Sequence, residues 1–179
     1  MIVQRLETPV SAVVDLDEMR LHVRTDPNDS AADRELALMA DAAVREAEEF
    51  GQIALLAQRV RVTLESCPRA STIPLPIAPL LDWSTVEVTS DGIAFDDFSV
   101  TTGQRPAIRF AGSRPSGSVV IEYLAGWGET ADSIPEDLRM AILDQAAAFF
   151  DARGPGDGKT VARSPHFARI VGRYRRVRV

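Results

Sequence analysis

Gly154-Pro155-Gly156-Asp157-Gly158-Lys159-Thr160 comes nearer to a chemical motif than any other stretch of this sequence. A glycine-rich run ending in Lys-Thr can cradle phosphate, because backbone amides at the start of a helix point at the anion. The pattern G-x-x-x-x-G-K-[ST] ending at Thr160 needs glycine at position 153, where this chain has Arg153. It also needs a strand before it and a helix after it. Here a predicted helix comes first and Ser164-Pro165 follows closely, so a linker is the better reading. Gly126-Trp127-Gly128 lacks the third glycine and the following helix of a dinucleotide site, and is expected to end a strand in a turn.

The other reactive residue types are scattered. His22 and His166 lie far apart, each without a spaced partner that would make it a general base or a ligand. No Gly-x-Ser-x-Gly elbow is present. Glu46, Glu48 and Glu49 project in different directions from a helix and read as a solvated face. Asp96-Asp97 supplies few oxygens for a hard cation. The single Cys67 can form neither an intrachain disulfide nor a cysteine zinc site. The expectation is a protein that is not an enzyme, with no catalytic residue, no cofactor and no metal.

The C-terminal residues carry the stronger signal. Arg169, Arg173, Tyr174, Arg175, Arg176 and Arg178 mix arginine with an aromatic, which suits phosphate contact, stacking or an acidic protein surface. The alternation through Val177 and Val179 also permits adding a strand to a partner's sheet edge. Residues 153–179 hold eight basic residues against the single acid Asp157, a net of +7. The total is −6, so residues 1–152 carry −13. An acidic body with a basic tail is the feature that needs a functional account.

The elements that would position these residues follow from length and periodicity. A chain of 179 residues, 45% apolar, defaults to one domain and can bury roughly 70% of its unfolded surface. No apolar run approaches the roughly 20 residues that span a bilayer. The first residues lack the basic start and apolar stretch of a signal peptide, so a soluble protein without export is expected.

Asp15 and Glu18 form a capping box, and Leu16, Met19 and Val23 recur at helical spacing over roughly 16–25. Asp26-Pro27-Asn28-Asp29 reads as a turn. A longer helix starts near Ser30, with Leu36, Met39 or Ala40, Ala43, Ala47 and Phe50 on one stripe and Gly51 past its end. From residue 58 the period becomes two, with Val60, Val62 and Leu64 alternating against arginine and threonine. Pro68, Pro74, Pro76 and Pro79 suit extended edges. Val86 and Val88 begin a strand, Asp91-Gly92 a hairpin, and further strands are expected at 98–102, 107–111 and 118–124. Ser133 and Glu136 suggest a second capping box for a helix over 134–152, with Leu138, Ala141, Ile142, Gln145 and Phe149 facing inward.

The fold class is therefore α+β: a helical body with an inserted small antiparallel β module at about 58–125. Residues 1–163 read as one domain and 164–179 as a basic C-terminal tail. That tail is expected to begin as a short helix through Phe167, Ile170 and Val171 and to end extended from Tyr174. Its removal is expected to leave the rest folded.

Several stretches, taken in order, resemble the head–tail connector (adaptor) proteins of long-tailed double-stranded DNA bacteriophages and phage-like gene transfer agents. They are Leu16-Asp17-Glu18-Met19-Arg20-Leu21-His22-Val23-Arg24-Thr25-Asp26 and the Ala-rich helix ending in Glu48-Glu49-Phe50-Gly51. The strand Arg59 to Leu64, the segment Ile73-Pro74-Leu75-Pro76-Ile77-Ala78-Pro79-Leu80 and Val119 to Gly128 follow. Ile134-Pro135, Leu138 to Leu143 and the closing Tyr174-Arg175 complete the set. Phe50-Gly51 stands where the family usually has Thr-Gly, and Arg173 where it has proline before the tyrosine.

The resemblance implies a structural protein of the particle neck, made in the bacterial cytoplasm. Such proteins form a ring, typically dodecameric, beneath the portal protein and join it to neck or tail-completion (stopper) proteins. DNA passes through the lumen without sequence-specific binding, and no membrane is involved. In that setting the tail arginines and Tyr174 would bind the portal or a neighbouring subunit. The alternative is a nucleic-acid-binding accessory protein that uses the same arginines.

Overall fold

The computed structural model describes residues 1–7, 9, 12–26, 30–152 and 163–175. The glycine-rich run 154–160, most of the Asp26–Asp29 turn, and Arg176 and Arg178 lie outside the described residues. The chain is α+β and divides into two compact units, Met1–Val10 with Gln52–Glu129 and Ser11–Gly51 with Thr130–Val179.

The first unit is all β. Strands β1 (Ile2–Arg5), β2 (Gln58–Leu64), β3 (Thr72–Pro74), β4 (Glu87–Ser90), β5 (Ile93–Ala94), β6 (Phe98–Thr101), β7 (Ala107–Phe110) and β8 (Val119–Ala125) form two antiparallel sheets. Their orders are β1-β2-β8-β4-β5 and β3-β7-β6. The period of two in β2 and β8 has its expected consequence: alternate residues are buried along both strands. Val60, Val62, Val119, Ile121 and Tyr123 form a core with Ile73, Leu75, Ile108 and Phe110. Proline-bearing β3 lies at a sheet edge, where a missing amide hydrogen costs least.

Two local features lock this unit. Asp91 and Gly92 turn the β4–β5 hairpin with φ of 49° and 82°, the pair of positive values a tight hairpin turn requires. The buried Tyr123 hydroxyl accepts from the Ile77 amide and donates to the Ile77 carbonyl, each at 3.1 Å. Gly126-Trp127-Gly128 does end β8 in a turn, with the Trp127 amide on the Leu55 carbonyl and the Ala57 amide on the Gly128 carbonyl.

The second unit is helical: α1 (Leu16–Val23), α2 (Ser30–Gly51), α3 (Glu136–Asp151) and α4 (Pro165–Tyr174). Asp15 caps α1 as expected, its Oδ1 accepting the amides of Asp17 and Glu18 at 2.8 and 3.1 Å. Helix α2 buries Leu36 and the small side chains of Ala40, Ala43 and Ala47, which suit close packing against α3. Gly51 remains helical; the left-handed residue beyond it is Gln52, with φ of 53°.

The second capping box does not form. Ser133 closes a 3-10 turn at Ala131–Ser133, and Pro135 is the residue that caps α3, through its backbone carbonyl. The buried stripe of α3 is also wider than expected and takes in Leu143, Ala146 and Phe150 rather than Phe149.

Residues 164–174 are part of the helical core. The Ser164 hydroxyl accepts the Phe167 amide at 3.0 Å, which starts α4, and Phe167, Ile170 and Val171 are buried. Removing 164–179 would therefore strip apolar cover from the unit rather than trim a surface tail. Tyr174 ends the helix instead of beginning an extended strand.

Candidate interaction surfaces

Helix α4 has two faces because its apolar residues fall at positions 167, 170 and 171, one side of a 3.6-residue period. The other side carries His166, Arg169 and Arg173, all exposed. The buried Gln145 anchors the helix start by accepting the Ser164 amide at 2.8 Å.

Three described arginines of this C-terminal segment turn back onto their own unit. Arg163 Nε sits 2.5 Å from Glu46 Oε1, and its guanidinium lies 4.4 Å from the Phe50 ring centroid. Arg175 covers the same ring at 5.2 Å. Arg173 Nη1 is 3.8 Å from Asp137 Oδ2, and the Tyr174 hydroxyl donates to Asp137 Oδ1 at 2.8 Å. Such exposed pairs each contribute only about 0.2–1 kcal/mol, so they orient the segment more than they stabilise it. Arg169 makes no ion pair with any described residue. Of the six candidate residues, the structure gathers Arg169, Arg173, Tyr174 and Arg175 at α4 and its end.

Asp144 on α3 does what sequence spacing gave no hint of. Its Oδ1 is 3.1 Å from His22 Nε2 and its Oδ2 2.8 Å from His166 Nδ1, so one carboxylate holds both histidines of the chain. Arg20 on α1 grips Asp33 on α2 through Nε at 2.8 Å and Nη2 at 2.5 Å, and also pairs with Asp17. The Arg20 guanidinium holds the Asp33 carboxyl below the usual carboxylate range. Arg139 joins α3 to Glu18 on α1 at 3.1 Å. Apart from Arg20–Asp17, these contacts span 13 to 122 residues of sequence, which is why no local pattern announces them.

Asp97 closes a turn. Its carboxylate accepts the Ser113 amide and hydroxyl at 2.6 Å and the Gly112 amide at 3.3 Å, and these bonds hold its pKa below the ordinary value. Among the described residues, no three His, Cys, Asp or Glu side chains gather as a metal site requires. No described helix is long and apolar enough to cross a membrane.

The two tyrosines allow one direct check. Burial and then the Asp137 carboxylate push Tyr174 up to about 12, and burial raises Tyr123 further. A raised pKa contributes stability that is present below the ordinary value near 10 and lost as pH climbs towards 12. Tyrosinate absorbance of the folded chain is thus expected to stay flat through pH 10–11. A step near pH 10 worth one of the two tyrosines would mean that Tyr174 is not docked on Asp137.

The chain thus combines an antiparallel β unit with a helical unit that carries an arginine-bearing helix face. Over its whole length it is similar to a chain in the virion of a native gene transfer agent particle, with 23% identity and a TM-score of 0.80. It is also similar to chains in the neck of an empty gene transfer agent particle computed with C6 symmetry (25%, 0.80) and of a native one computed with C12 symmetry (23%, 0.77). Each alignment covers 100% of this chain and 97% of the other. No family model and no curated protein sequence matches it. The likeness carries the resemblance read from the sequence to the level of the complete fold.

Proposed function

We propose that this chain is a head–tail connector (adaptor) subunit in the neck of a phage-like particle. It sits in a ring beneath the portal, joins the head to neck or tail-completion proteins, and leaves a channel for DNA. The observation that carries this reading is the end-to-end likeness to neck chains, which spans both the β and the helical unit. The role is structural and needs no catalytic group. Arg169 and Arg173, on the open face of α4, meet the portal or a neighbouring subunit. The net −13 of residues 1–152 would repel phosphate along a DNA channel and prevent sticking.

Protein rather than nucleic acid is the favoured partner of α4. Arg163 and Arg175 already lie against Glu46 and Phe50, which makes them poor contributors to a phosphate-binding patch. The test is particle mass measured with and without the portal ring. The chain is expected to load onto the portal, and the Arg169→Glu/Arg173→Glu variant to load roughly tenfold or more weakly while staying folded. A chain that ignores the portal yet shifts DNA, with affinity falling about 10³-fold between 50 and 200 mM salt, would favour the nucleic-acid reading instead.

A further inference from the structure

Among the described residues, both ends of the five-stranded sheet are open edges, and they differ in character. At one end lies β1, all four of whose residues are exposed although it pairs with β2. Ile2 is 57% and Val3 37% exposed, with Met1 and Leu6 exposed beside them. Natural edge strands are usually blunted by charge, proline or a bulge. Here the one charge in the strand, Arg5, turns its guanidinium to Gln58 Oε1 and the Ile53 carbonyl, both at 2.9 Å. The Leu6 amide donates to the Arg59 carbonyl, so Leu6, Gln4 and Ile2 face β2 with their backbone groups. By the same alternation Val3 turns its N–H and C=O to the open side.

The opposite end is β5, where Ile93 is 73% exposed. No lysine or arginine occurs between Arg69 and Arg105, while Asp82, Glu87, Asp91, Asp96 and Asp97 fall in that span. The β1–β2 end holds Arg5, Arg59 and Arg61, with Glu7 and the Glu122 of β8 as their acidic neighbours. One edge is therefore apolar and basic, the other apolar and acidic. Four antiparallel steps separate β1 from β5, so the two edge strands run in the same direction.

We infer that the β1 edge of one copy docks on the β4–β5 edge of the next, and that this head-to-tail contact builds the ring. The occupant of each edge is a second copy because the complementary charge and the matching apolar side chains stand on the far end of the same sheet. Two unlike surfaces on one subunit make a heterologous contact, which closes when its rotation divides a full turn. Ile2 and Val3 meet Ile93 at the centre, and the acidic β4–β5 edge lies against the end of the sheet that holds the basic residues. The inference rests on the ring reading above and specifies the surface that reading leaves open.

Two full-length variants test it. Val3→Pro removes an amide hydrogen that points away from β2, so the β1–β2 ladder survives. Ile93→Lys places a charge on the other edge, at a side chain the fold leaves in solvent. Sedimentation is measured for the chain alone at rising concentration, and loading is measured on the portal ring. Each variant is expected to lose neighbour-to-neighbour association roughly tenfold or more wherever the unmodified chain shows it. An equimolar mixture of the two should give dimers and nothing larger, since only one competent pair of edges remains.

Variants that associate like the unmodified chain would overturn the inference and leave the neck reading standing. So would an unmodified chain that makes no copy-to-copy contact either alone or on the portal. Failure of the unmodified chain to bind the portal would instead count against the neck reading, while sedimentation alone still decides between the edges. Unchanged thermal unfolding of either variant excludes misfolding as the cause.

Discussion

Replacing Phe167 by alanine is expected to cost about 3–5 kcal/mol of stability in the helical unit. The ring is completely buried, and it is the largest of the three apolar side chains by which α4 packs into that unit. Truncation leaves a cavity beside Ile170 and Val171 that the exposed ion pairs around α4 do little to offset. A domain of this size has only about 5–15 kcal/mol in all, so the variant loses a large share of it. Denaturant unfolding measures the effect, with Phe167→Leu as the partner variant at about 1 kcal/mol. If Phe167→Ala cost less than about 1 kcal/mol, α4 would be a loosely attached tail rather than core. Portal loading should fall together with stability here, whereas Arg169→Glu/Arg173→Glu should lower loading alone.

Gly126→Ala is the second large effect, and its cause is backbone rather than cavity. Gly126 has φ of 132°, and a Cβ there would stand 2.5 Å from the Leu56 carbonyl oxygen and 2.7 Å from the Ala57 nitrogen. Neither contact can be relieved by rotating a side chain. Strain and overlap together are expected to cost on the order of 3 kcal/mol or more. Gly92→Ala separates the two contributions. Its φ of 82° is also unfavourable for alanine, but its Cβ would meet nothing within 4 Å, so about 1 kcal/mol is expected. Equal losses at the two positions would show that the close approach at Gly126 contributes nothing.

Much of the architecture follows from local pattern. The alternation in β2 and β8, the Asp91-Gly92 turn, the Asp15 cap and the stripes of α2 and α4 are properties of neighbouring residues, and they fold as their spacing predicts. Where a local signal misled, a nearby competitor explains it. Ser133 enters a 3-10 turn before it can cap α3, and Pro135 supplies the carbonyl instead.

What sequence left hidden is non-local. Strand β1 is four residues long, too short to show a period, and exists because Ile2 to Arg5 find Thr63 to Val60 across 55 to 61 residues of chain. The candidate interaction residues divide in the same way. Composition by itself determined an acidic body, a basic C-terminal segment and the arginines that stand out in it. Only the tertiary structure decided which of those charges are already answered, because Glu46, Phe50, Asp137 and Asp144 reach them through space. It also decided that the two open edges of one sheet carry opposite charge, since strand order is a property of pairing and not of sequence order.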